Sequence, residues 1–191
     1  MREHFPFLGL PRKTRDEVDR TIEIAGDVLE IARACWKLPE REYQYFAMKL
    51  LRRHAKKLEA PAIAVVEELI ATKSWWDTVD ELASNVVGPL VTRHPALKKT
   101  MDAWAKSENL WLARSAILHQ LKYRDKTDAT RLFRYCAARA GEKDFFMRKA
   151  IGWALRVYSA TDPEAVRAFV AEHPKLSALS AKEALRKIAD R

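Results

Sequence analysis

The stretch ENLWLARSAILHQL (108–121) lies over EKDFFMRKAIGWAL (142–155) at a constant offset of 34 residues. Glu108 meets Glu142, Trp111 meets Phe145, Arg114 meets Arg148, and the apolar pairs Ala116/Ala150, Ile117/Ile151 and Leu121/Leu155 coincide. One more step of 34 backwards carries Arg114 onto Asp80 and Glu108 onto Ser74, the start of SWWDTVDELA. Two amphipathic helices share periodicity by default, but here a charged position and the flanking turns match as well. A repeat of this length built from helix pairs marks an α-solenoid, in which each unit buries its apolar face only against its neighbours.

The rest of the chain fits that reading. Four segments place an acid three residues after a Ser or Thr, the capping-box pattern: Thr14/Glu17, Ser74/Asp77, Thr161/Glu164 and Ser180/Glu183. Further helices start at Asp27, Pro39, Pro61, Pro95, Asn109 and Asp144, giving about eleven helices and no convincing strand. Only 5 glycines and 8 prolines punctuate 191 residues, which argues against most all-β folds and small disulfide frameworks. Hydrophobic residues make up 48% and charged ones 32%, enough apolar surface for a packed core. Cys35 and Cys136 lie far apart in apolar helical patterns and are expected to be free thiols. No apolar run approaches the length of a membrane span, and the amino terminus carries no secretory pattern; a cytoplasmic, monomeric protein is the expectation.

Charge points to a class of partner. Thirty-five Lys and Arg against 26 Asp and Glu leave a net +9, which suits a polyanion such as nucleic acid. Basic clusters recur near helix ends, at Arg52/Arg53/Lys56/Lys57, Lys98/Lys99 and Lys122/Arg124/Lys126. The helix dipole favours cations there in any case, but repetition along an array would line them up against a phosphate backbone. The five histidines form no metal-ligand spacing and no glycine-rich phosphate loop is present, so no metal or cofactor is expected.

Helical phase separates core from candidate site. Trp75, Val79, Leu82 and Val86 share one stripe and read as core, which leaves Trp76 and Asp80, one turn apart, on a face about 100° away. Asp77 and Asp80 together suggest the two acids of sugar hydrolases, but Asp77 falls at the third helical position and is assigned to the cap. In the helix from Asn109, Arg114 projects from within the stripe Leu110, Ile117 and Leu121 and must snorkel or find an anion. In the helix from Asp144, Met147, Ala150, Ile151, Ala154 and Leu155 face inward, Arg148, Lys149, Gly152 and Arg156 face outward, and Trp153 sits at the edge between cations.

The segments PFLG (6–9), LPEREYQY (38–45), TKSWWDTVD (72–80), NLWLARSAILHQLKY (109–123) and FFMRKAIGWALRVYSATDP (145–163) are similar to the AlkD-like DNA alkylation repair glycosylases, over nearly the whole chain. The resemblance implies an all-α fold, a right-handed α-solenoid of HEAT-like repeats with a basic concave face, as one domain over residues 1–191. It also implies excision of cationic N3- and N7-alkylated purines from double-stranded DNA without swinging the base out of the stack. By the same resemblance Asp80 is the catalytic carboxylate, Trp76 and Trp153 flank the deoxyribose, and Arg114 holds a nearby phosphate; Arg148, Lys149 and Arg156 are further candidates for DNA contact. The chain begins just ahead of the PFLG-like motif, where family members usually carry another helical segment, so an amino-terminal helical segment is expected to be missing. The runner-up is a non-catalytic DNA-binding relative that recognises distorted or branched duplexes, for which the basic groove alone would suffice. A helical scaffold for acidic proteins leaves the Trp76/Asp80 pair without a role.

Overall fold

The computed structural model describes residues 4–188 and is all-helical over them. After α1 (Arg12–Thr21), five helix pairs follow in sequence order. They are α2 (Val28–Lys37) with α3 (Arg41–His54), α4 (Ala62–Ala71) with α5 (Trp76–Leu82), α7 (Lys98–Trp104) with α8 (Leu110–Leu118), α9 (Ala129–Ala138) with α10 (Phe145–Tyr158), and α11 (Pro163–Glu172) with α12 (Ala178–Leu185). A π-helical turn, Ala83–Val87, runs α5 on into α6 (Gly88–Arg93) as one rod, so the count of about eleven helices holds among the described residues.

The second helices of the pairs start 33 to 35 residues apart, the period read from the sequence. Contacts between them advance together along both partners. Asp80 meets Arg114, Asn85 meets Lys122, and the Gly88 carbonyl accepts from the Tyr123 hydroxyl. Adjacent second helices therefore run in the same direction, and their amino-terminal ends line up along one edge of the stack. Each pair contributes side chains to one continuous core, from Trp36, Leu51 and Leu69 through Leu82, Leu90 and Ile117 to Leu155, Val166 and Phe169. Burying each such side chain is worth about 1.5–3 kcal/mol. Among the described residues no helix is long and apolar enough to cross a membrane.

The helix starts divide the cap assignments. Asp27, Asn109 and Asp144 cap as expected, each accepting from a backbone N–H two or three residues on. None of the four capping boxes forms. Pro11 precedes α1 and leaves Thr14 inside it, and Ser74 donates instead to the Ile70 carbonyl. Asp162 caps α11 just ahead of Pro163, and Ser177 caps α12 by accepting from Ser180. In the last two cases a better acceptor stands nearer the helix start, with proline already holding the first helical φ in α11.

The PFLG motif has a structural role at the first pair. The Leu8 and Gly9 N–H groups each donate at 3.0 Å to the Glu42 carboxylate, and Leu10 donates at 3.3 Å. Gly9, at φ +81°, turns the chain so that three successive donors converge on one anion. Cys35 is half-buried and Cys136 buried, both as free thiols.

Candidate active site

Asp80 and Arg114 occupy equivalent positions of successive repeats, and in the folded chain they touch. Arg114 donates through Nε to Oδ1 and through Nη2 to Oδ2 of Asp80, both at 2.7 Å, and through Nη1 to the Phe146 carbonyl. The Arg114 side chain is 4% exposed and that of Asp80 14%. Of the two outcomes open to a guanidinium within that apolar stripe, snorkelling or finding an anion, Arg114 takes the second. It is buried because its stripe packs against both neighbouring second helices, and the anion it requires is the carboxylate one repeat earlier. Of the five N–H bonds on a guanidinium, one on Nη1 and one on Nη2 are left for a further acceptor.

Burial raises the Asp80 carboxyl above its usual range; the hydrogen bonds and charge of Arg114 pull the other way, and the nearby Asp77 charge adds to the rise. A carboxyl raised in this way is favoured in its protonated form by folding, so holding it charged draws on stability as pH rises. Perturbation of this kind, by desolvation with one specific partner, is typical of groups that do chemistry.

Asp77 is structural, as its place near the helix start suggested, but through a different partner than the cap. It turns to the preceding repeat, where Arg41 donates through Nη2 at 2.6 Å and Nε at 3.2 Å and the Tyr45 hydroxyl donates at 2.7 Å. Arg41 is fully buried. It also donates to the Lys73 carbonyl and the Thr78 hydroxyl, and the Phe5 ring lies 4.0 Å from its guanidinium carbon. Burial, reinforced by the hydrogen bond to Asp77 and its charge, pushes the Tyr45 hydroxyl up to about 12. One helix thus carries two Arg–Asp pairs three residues apart, each joining a different neighbour.

Trp76 is the first residue of α5 and is 45% exposed, one turn from Asp80. Trp75 departs from its expected place in the core. It stands at the helix start in extended backbone, half-buried, because the helix begins one residue too late to carry it into the Val79–Leu82–Val86 stripe. Its ring meets Trp111 at 5.9 Å, Phe146 at 5.1 Å and His4 at 4.2 Å between centroids, while Trp111 and Phe146 lie 5.3 Å apart. The starts of α5, α8 and α10 are joined by these rings beside the Asp80–Arg114 pair. Phe146 was not singled out by its pattern; the offset that pairs Trp111 with Phe145 marks its neighbourhood.

The cations of α10 are less free than helical phase suggested. Arg148 donates to the Glu142 carbonyl at 3.0 Å; Lys149 reaches Glu183 at 3.2 Å, and Arg156 pairs with the same carboxylate. Burial pushes Glu183 up, but Lys149, Arg156 and Arg186 together hold it below the ordinary range. Trp153 is half-buried against the core. Gly152, expected to face outward, is buried, since α12 crosses directly over it. A Cβ there would lie 2.7 Å from the Glu183 Cβ and 2.9 Å from the Ser180 carbonyl oxygen. Gly152→Ala should therefore cost about 1–3 kcal/mol through overpacking, against the gain of about 1 kcal/mol that alanine brings to an open helical site. Urea denaturation reads the sign, and a midpoint equal to or above wild type would contradict this packing.

Among the described residues no group of three or more His, Cys, Asp or Glu is placed to hold a metal ion. What the site offers is one aligned, partly desolvated carboxylate one turn from an exposed indole, near helix ends whose dipoles favour an approaching anion.

A similar structure is that of a predicted DNA alkylation repair enzyme from Enterococcus faecalis, with TM-score 0.90 and 27% identity over 100% of this chain and 92% of that one. AlkD2 from Streptococcus mutans superposes with TM-score 0.71 at 17% identity, over 96% of this chain and 93% of its own. The smu.31 protein of Streptococcus mutans UA159 does so with 0.69 at 17%, over 90% of each chain. These last two likenesses are of fold alone, that of HEAT-like helical repeats. No curated protein matches the sequence. The sequence model described as DNA alkylation repair enzyme matches residues 1–188, and on that near-complete match the chain belongs to this family, whose partner is DNA.

Proposed function

We propose that the protein hydrolyses the N-glycosidic bond of cationic alkylated purines, of the 7-methylguanine and 3-methyladenine type, in duplex DNA. The observation that carries this reading is the Trp76–Asp80–Arg114 arrangement: an exposed indole one turn from a carboxylate whose two oxygens are both oriented by a buried guanidinium. An alkylated purine that already bears positive charge leaves without a general acid. The remaining task is to stabilise the oxocarbenium-like sugar and admit water to its anomeric carbon. Asp80 supplies the negative charge, and Trp76 and Trp153 supply π faces, each worth about 0.5–2 kcal/mol toward a cation. The two unengaged N–H bonds of Arg114 suit a phosphate oxygen. Arg148, Lys149 and Arg156 extend the cationic surface, the last two while sharing Glu183. The base stays stacked, and a monomer inside the cell suffices.

A site that reads lability and charge should discriminate by lesion. Duplexes carrying 7-methylguanine or 3-methyladenine are expected to lose base, and uracil duplexes are not. Release of uracil at a comparable rate would contradict the reading. A second reading, a DNA-binding relative that does not cut, is favoured by one feature: Arg114 occupies both oxygens of Asp80 just as Arg41 occupies both of Asp77. Under it no lesion is released while duplex binding persists.

A further inference from the structure

We infer that Phe146 is a positioning residue, whose wedged ring fixes the backbone carbonyl that locks Arg114 onto Asp80. This rests on the proposed role of Asp80. Arg114 reaches three acceptor atoms, and two belong to Asp80; the third, the Phe146 carbonyl, is the only one of the three on a different helix. That carbonyl sits in the first turn of α10, where a helix end frays most readily. Here the first turn is pinned, because the Phe146 ring lies against both Trp75 and Trp111 at 5.1 and 5.3 Å. Pairs of this kind are worth about 0.5–1.5 kcal/mol beyond their buried area. The chain of effects runs from the ring to the carbonyl, from the carbonyl to the guanidinium, and from there to the reacting carboxylate.

Removing the ring should loosen Arg114 and leave the bulk of the fold intact. The charged groups that bear on Asp80 are Arg114 from α8 and Asp77 on α5 itself. From α3, Arg41 is committed to Asp77 and Arg52 to Glu81, and α10 offers the Phe146 carbonyl. Arg114 is the group among these that holds the Asp80 carboxyl down, so loosening it moves the titration to higher pH. A ring that only kept water out would do the opposite, since its loss would hydrate the carboxylate and move the titration to lower pH.

The test is the titration of the Asp80 carboxyl by carbon-13 NMR, assigned with Asp80→Asn, in wild type, Phe146→Ala and Phe146→Tyr. The expected result is an upward shift in Phe146→Ala and a wild-type value in Phe146→Tyr, which keeps the ring. In the glycosylase assay the acid limb of kcat should move the same way. With kcat lowered roughly tenfold and KM for the duplex little changed, the loss would be confined to the transition state. No shift in Phe146→Ala, or a downward one, overturns the inference. Because the titration needs no turnover, it is decided even if wild type releases no purine, a result that would count against the glycosylase reading alone.

Discussion

Under the proposed reading, Asp80→Asn is expected to lower the rate of 7-methylguanine release by about a thousandfold while duplex affinity is largely kept. A carboxylate about 4 Å from the developing sugar cation contributes on the order of 4 kcal/mol at an effective dielectric near 20, and tenfold in rate per 1.36 kcal/mol converts that to roughly three decades. Asparagine keeps the shape and removes the charge. It also sets an amide NH2 or a single carbonyl against the two donors of Arg114, so one hydrogen bond of the bidentate pair is lost. Arg114→Ala should differ in kind, since it also removes the N–H groups proposed to meet a phosphate and is expected to weaken binding. Single-turnover base release together with fluorescence anisotropy on a duplex separates the two. An unchanged rate in Asp80→Asn would take the catalytic role from this residue.

Arg41→Ala has the largest expected effect on stability, a loss of about 3–5 kcal/mol, because it strands a carboxylate that is 9% exposed. At about 2–4 °C per kcal/mol for a chain of this size, the melting temperature should fall by roughly 10 °C. Four hydrogen bonds and the Phe5 contact are lost at once, and Lys73 and Thr78 lose their donor. Replacing both partners with apolar residues, as in Arg41→Met with Asp77→Leu, should recover most of the loss, because the cost comes from the unpaired charge and not from the absence of an ion pair. A double variant no more stable than Arg41→Ala, measured by thermal or urea unfolding, would show that the pair itself carries the stability.

Of these two pairs, only Asp80–Arg114 was prefigured in the sequence. An offset of 34 places Arg114 over Asp80, and equivalent positions of stacked repeats are neighbours in space. Arg41 and Asp77 lie 36 residues apart, so an offset of 34 does not superpose them, and the pair that ties EREYQY to SWWD was not legible from the repeat. The exposure of Trp76 was legible because a helix of known phase leaves few outward positions, whereas Asp80, one turn on, is drawn against Arg114 of the next repeat and is 14% exposed. Gly152 was not legible, because its burial depends on α12, which packs over it from 26 residues downstream. The capping boxes failed for a local reason: a four-residue pattern is short, and a nearby Asp, Ser or Pro set the helix start in its place. Trp75 failed by one residue, since a helix that starts at Trp76 leaves the preceding ring outside the stripe.

The most direct measurement is the time course of 7-methylguanine release from a defined duplex under saturating wild-type protein, set beside spontaneous loss from the same duplex. A carboxylate aligned by Arg114 and one turn from an exposed indole predicts, under the proposed reading, release at least a thousandfold above the spontaneous rate. A duplex that is bound but sheds its methylated base no faster than free DNA would contradict the account.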